Sequence, residues 1–167
     1  AYEALADDID IYFQPKAWAD GHVCSVWLDR FHEQTKHLTP RLEILLGMDQ
    51  HGSQMTRHFL SKCQRKGIVP LYTPANCTDV VAPVDHHVGA RLKHLIGQLY
   101  EAAFEDNHDA WVLPPGQGGL QTKDRRILLA QWTAAAWNTM KNEHAFFKSA
   151  FTSTGWALGM NGEDDEL

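Results

Sequence analysis

The feature that most constrains this chain is a pair of short apolar runs with a helical pattern between them. "LEILLGM", Leu42 to Met48, is nearly continuous in apolar residues, the pattern of a strand covered on both faces. "IVPLY", Ile68 to Tyr72, is the second run, and Pro70 marks it as an edge strand or the site of a bulge. Between them Met55, Phe59, Leu60 and Cys63 fall on one helical face, with Ser53 as the expected cap and Gly67 as the stop. Strand, helix and strand in about thirty residues make a βαβ unit, whose two strands run parallel.

The rest of the chain reads as helical. Upstream, Val23, Trp27, Phe31 and Leu38 predict a helix with a buried stripe, closed off by Pro40. "TPANCTDVVAP" is a loop by composition. Val84, Val88, Leu92, Leu95, Ile96, Leu99 and Ala103 then predict a helix of about five turns at 3.6 residues per turn, with Asp85 in its first turn. "DNHDAWVLPPGQGGLQTKD" is the one long irregular stretch, followed by helix formers in "RRILLAQWTAAAWNTM" and a shorter helix in "HAFFKSAF" that ends near Gly155. There is no internal repeat.

Composition narrows the function classes. A hydrophobic share of 44% and a charged share of 22% are those of a soluble globular protein. No apolar run approaches the ~20 residues of a membrane span, and the start, "AYEALADDID", lacks the pattern of a signal peptide, so the chain reads as intracellular. Cys24, Cys63 and Cys77 form no C-x-x-C pair, which favours reduced thiols in or near the core over a zinc ribbon or a disulfide framework. A net charge of −6 argues against a free-standing DNA-binding module. It leaves room for nucleic acid when metal ions stand between acids and phosphates.

Two acids stand out. Asp49 follows the first strand at its carboxyl end, and Asp85 begins a helix after the second strand; ligands of open α/β sheets bind at that end. Converging carboxylates suit a pair of Mg²⁺ or Mn²⁺ ions, which prefer oxygen ligands and clamp the two oxygens of a phosphoryl displacement. The same residues also suit plainer roles, a turn former and a helix-dipole partner, and both readings stay open on the pattern alone. His51, His86 and His87 invite a zinc site, against solvent-facing or outer-shell roles. Arg91 and Lys93 are candidate phosphate contacts, against a solvated helix face. Trp132 and Trp137 read as core packing ahead of a base-stacking platform. "GQGG", 116 to 119, lacks the Lys and Ser or Thr of a phosphate loop and reads as a hinge or linker.

The ordered run of "PKAW", "LLGMDQHGSQ", "IVPLYTPANCTDVVAPVDHHVGARLK" and "AFTSTGWALGMNGEDDEL" resembles the DDE superfamily endonucleases, the pogo, Tigger and jerky-like transposases. The resemblance covers nearly the whole chain. It implies that Asp49 is the family's second catalytic carboxylate and Asp85 its third, with His51 in the outer shell. Ala82 stands where the family commonly has Gln, and Gln54 where it commonly has His. The implied fold is α/β, a ribonuclease H-like mixed sheet with helices on both faces and a C-terminal helical extension, with "IDIYF" as a strand. The resemblance also implies that the chain starts late. The first carboxylate and the helix-turn-helix region would lie upstream, Asp7, Asp8 and Asp10 being on the wrong strand.

On this reading residues 1–106 are a partial ribonuclease H-like catalytic domain, 107–122 a loop, and 123–167 a helical extension with an acidic tail. The expected function is Mg²⁺- or Mn²⁺-dependent cleavage and strand transfer of DNA in the complete protein, with two ions in the complete site and weak metal binding by two carboxylates alone. The expected partners are DNA and the missing amino-terminal part of the same protein, with no membrane and with a homodimer left open; the implied location is the nucleus. Two alternatives stand beside it: a domesticated, non-catalytic domain that binds nucleic acid or protein, and an unrelated metal-dependent phosphohydrolase.

Overall fold

The computed structural model describes residues 9–16, 18–38 and 43–157, except the side chains of Thr78 and Asp79. Leu42, Pro40, Asp7, Asp8 and the acidic tail lie outside the described residues. The chain divides into two compact units, Tyr12–Ala82 and Pro83–Leu167 with Ala1–Ile11.

The first unit holds α1 (Gly21–Thr35), β1 (Ile44–Met48), α2 (Arg57–Arg65), β2 (Ile68–Tyr72) and the short α3 (Thr78–Val81). Asp20 starts α1 by accepting from the amides of His22 and Val23 at 3.0 and 2.9 Å, two of the donors that a helix start leaves unpaired. Thr56, and not Ser53, caps α2: its hydroxyl accepts from Phe59 N at 3.2 Å. Gly67 follows α2 at φ 65°, a left-handed conformation that glycine adopts without steric cost, and it turns the chain into β2.

β1 and β2 pair in parallel, from Ile44 opposite Ile68 to Met48 opposite Tyr72, as the βαβ reading requires. Ile44 N bonds Gly67 O and Thr73 N bonds Met48 O, so the odd-numbered residues of β2 serve this ladder. Pro70 lies between them on the outer edge, where a residue without an N–H costs no ladder bond.

The core consists of Cys24, Leu28, Met48, Phe59, Cys63 and Ile68, with Phe31, Ile44, Leu46 and Tyr72 packed against it. Every strand residue in that set is even-numbered, so the core covers one face of the two-stranded sheet. The expectation of a strand covered on both faces is corrected here, since Leu45 is 65% exposed. The stripe of α1 is corrected as well: Cys24 and Leu28 are buried, whereas Trp27 stacks on Phe31 at the rim and Leu38 lies exposed past the helix. Residues 9–13 form no strand. An extended segment is held only when another strand takes its N–H and C=O groups, and among the described residues β1 and β2 pair with each other alone. All three cysteines are free, and burial pushes the Cys63 thiol up.

The second unit begins with a π turn (Val84–Val88) that runs into α4 (Gly89–Asp106), followed by α5 (His108–Val112), α6 (Thr122–Met140) and α7 (His144–Ser153). The stretch read as irregular thus contains a helix, α5. Asn107 caps it through Ala110 N at 3.1 Å, and the Trp111 indole donates back to Ala103 O at 3.2 Å. Trp111 stacks on Trp132 at 5.7 Å, and Tyr100 meets both rings edge-on, which ties α4, α5 and α6 together. "GQGG" is a closed turn: Gly116 and Gly118 have φ of 92° and 103°, and a Cβ on Gly119 would lie 1.8 Å from Leu113 O. Among the described residues no helix is long and apolar enough to cross a membrane.

A single ammonium braces the first unit. Lys62 of α2 donates to Ser25 O at 2.8 Å, Ser25 Oγ at 2.7 Å and Asp29 Oδ2 at 2.6 Å, all on α1, while Lys66 lies 3.0 Å from Asp29 Oδ1. Hydrogen bonds from Lys62 and then Lys66 hold the Asp29 carboxyl below the usual carboxylate range. A depressed folded-state value means that the contribution is present above the unfolded value of about 4 and is lost as pH falls through the folded one. Asp29→Asn should therefore lower thermal stability at pH 7, by no more than about 1 kcal/mol because solvent screens a half-exposed carboxylate. The gap between variant and parent should close in acid; a gap independent of pH would count against the brace.

Candidate active site

Asp49 is the first residue past β1, at the carboxyl end of the parallel pair. The turn it starts is fixed from three directions. Gln50 Nε2 donates to Thr73 O at 3.1 Å, which ties the turn to the residue after β2. Tyr72 OH donates to Gln54 O at 2.7 Å from β2 itself. Ser53 Oγ donates to Ala19 O at 3.0 Å, just ahead of α1.

Ser53 has one hydroxyl proton, and the Ala19 carbonyl takes it. His51 Nδ1 lies 2.6 Å from the same oxygen and Cys24 Sγ 3.2 Å from it, and the Cys24 thiol also reaches Ala19 O at 3.7 Å. The 2.6 Å contact joins His51 to Ser53. Ser53, read from the sequence as a helix cap, is thus the hub of the turn that follows Asp49. The Asp49 side chain is exposed and makes no hydrogen bond or ion pair among the described residues.

Asp85 lies in the second unit, as the second residue of the π turn. Its side chain is also exposed and also makes no hydrogen bond or ion pair among the described residues. Beside it, His86 Nδ1 and His87 Nε2 lie 3.0 Å apart, and His87 Nε2 lies 2.8 Å from Ser153 Oγ at the end of α7. Arg91 is engaged: Nε and Nη2 reach the two oxygens of Glu143 at 3.1 and 2.6 Å, and the guanidinium holds the Glu143 carboxyl below its usual range. Lys93 is exposed.

Two exposed carboxylates with uncommitted oxygens are donors of the type that Mg²⁺ and Mn²⁺ take. Mg²⁺ commonly binds one or two protein carboxylates and completes its shell with water and phosphate. The residues present therefore fit such an ion in kind. Among the described residues no group of three or more His, Cys, Asp or Glu could hold a metal ion. Trp132 lies in the aromatic cluster of the second unit, and Trp137 meets Phe147 edge-on at 6.2 Å.

The sequence reading missed Ser53 as a hub, Glu143, Ser153 and the π turn. One signal was available: Gly89 stands inside the pattern of a long helix near its start, where a glycine usually has a packing reason. Nothing in sequence spacing joins Glu143 to Arg91.

A family model described as DDE superfamily endonuclease matches residues 2–151. No curated protein and no solved structure matches the chain.

Removing the hub should loosen the turn without unfolding the unit. Ser53→Ala removes the bonds to Ala19 O and His51 Nδ1, while Cys24 Sγ keeps Ala19 O within reach at 3.7 Å, so the expected cost is about 0.5–1.5 kcal/mol. Amide hydrogen exchange over residues 50–54 should speed up relative to the core of α2. Unchanged exchange there would show that Ser53 does not hold the turn.

Proposed function

The chain belongs to the DDE superfamily endonucleases, and on that premise we propose that it is part of the catalytic domain of a transposase-type DNA endonuclease, with Asp49 and Asp85 as two of its metal-binding carboxylates. The observation that carries this reading is the place of Asp49: an exposed, uncommitted carboxylate at the carboxyl end of a parallel strand, on a turn fixed from three directions. Holding the turn in advance lowers the cost of ordering a ligand when an ion arrives.

Mg²⁺ or Mn²⁺, two ions in the complete site, would be held by Asp49 and Asp85 and would supply charge neutralisation at the attacking and leaving oxygens of a DNA phosphodiester. The chain's own contribution is to place hard oxygen donors and to keep their carboxylates free of competing cations. His51, joined to Ser53, acts on the site by shaping the turn. Of the two cations read as phosphate contacts, Arg91 is taken up by Glu143, so DNA contact rests on exposed Lys93. The reaction is cleavage followed by strand transfer, the partner is DNA, and the cellular site is the nucleus.

Calorimetric titration with Mn²⁺ tests the reading. Asp49→Asn and Asp85→Asn should each weaken binding at least about tenfold, in the range seen when a residue of a metal site is lost, with melting temperature near that of the parent. Parental affinity in both variants would remove the two acids from the metal site and leave a fold without this chemistry.

A further inference from the structure

We infer that the π turn is a positioning device for Asp85, kept wide by Gly89 and clamped by both ends of α7. The inference rests on the reading of Asp85 as a metal ligand.

A regular α-helix closes each ring from one residue to the fourth after it. Here Gly89 N bonds Val84 O, one residue further. An extra residue in a turn rotates everything ahead of it by about 100° around the helix axis, relative to the helix that follows. Asp85 lies in that turn, so its direction differs from the one that the apolar stripe of α4 would give it. Val84, predicted to continue the stripe, is 59% exposed, as a shift of phase requires.

Gly89 is what permits the wide turn. Its φ of −65° is ordinary, so the need is steric: a Cβ would stand 2.9 Å from Val84 O, closer than such atoms approach. The obstructing atom is a backbone carbonyl that cannot swing aside. Gly97, in the same helix, has nothing within 4 Å of where its Cβ would be.

α7 supplies the clamp. Ser153, its last residue, meets His87 at 2.8 Å, and Glu143, the residue before its first turn, grips Arg91 with two hydrogen bonds. One contact falls inside the π turn and the other falls just after it. Contacts at opposite ends of one rigid helix fix the rotation of the turn as well as its position. Isolated π turns of this kind concentrate at functional sites.

The test uses the full chain, labelled with ¹⁵N and titrated with Mn²⁺, reading paramagnetic broadening of the amide signals around residue 85 together with the melting temperature. Gly97→Ala should raise the melting temperature by a few degrees, as alanine does inside a helix, and leave broadening unchanged. Gly89→Ala should lower the melting temperature and raise the Mn²⁺ concentration for half-broadening about tenfold. Asp85→Asn should abolish the broadening without a comparable change in melting. Parental broadening in Gly89→Ala, alongside its loss in Asp85→Asn, overturns the positioning role and leaves the ligand reading in place. An Asp85→Asn variant indistinguishable from the parent overturns both. Should Gly89→Ala not fold, the double variant Glu143→Gln, Ser153→Ala decides: the same rise supports the clamp, and no change overturns it.

Discussion

Two strands that run the same way cannot be joined by a tight turn, and much of the first unit follows from that fact. The chain must leave the carboxyl end of β1, cross back over the sheet and re-enter at the start of β2. α2 is the crossover, and its apolar face supplies Phe59 and Cys63 to the core. The exit from β1 therefore lies at the end of the sheet where loops gather. Asp49 is the residue at that exit, and Ser53, Gln50 and Tyr72 hold the exit turn in one shape.

The second unit places its acid by another means. Helix rotation is normally set by which side chains are buried, and the stripe of α4 sets it from Leu92 onward. Asp85 escapes that rule because the π turn separates its phase from the stripe. The two candidate carboxylates are thus held by different kinds of structure, a hydrogen-bonded loop at a strand end and an over-wide turn at a helix start. Both leave the carboxylate exposed, and among the described residues neither gives it a cation.

Much of this was legible in the sequence. The βαβ unit, its parallel pairing, the stop at Gly67, both later helices and the three free thiols follow from spacing and from residue types whose backbone preferences are strong. What escaped was set by tertiary contact. The stripe of α1 runs through Cys24 and Leu28, since cysteine packs as a small apolar residue while the larger Trp27 finds room at the rim. Leu45 faces away from the core because α1 and α2 both pack on the other side of the sheet. α5 is held by Asn107 and by Trp111 against Tyr100 and Trp132, contacts that no local pattern announces. The family resemblance agrees with a match that spans residues 2–151, which takes in its first three motifs and only the start of the fourth, "AFTSTGWALGMNGEDDEL". The coarse α/β character is present as a two-stranded parallel sheet among many helices.

The two crowded glycines carry a further consequence, for how this sequence can drift. A single-base missense change in a glycine codon always yields a residue with a Cβ, or a bulkier one. At Gly119 that atom would collide with Leu113 O, so every such change strikes the packing of the turn between α5 and α6. At Gly89 the collision is with Val84 O and strikes the turn that bears Asp85. The first glycine answers to folding, the second both to folding and to the direction of an acid. In copies of this gene released from selection for catalysis yet still selected to fold, Asp49 and Asp85 should vary while both glycines stay fixed. A set of such copies would date the loss of chemistry separately from the loss of structure.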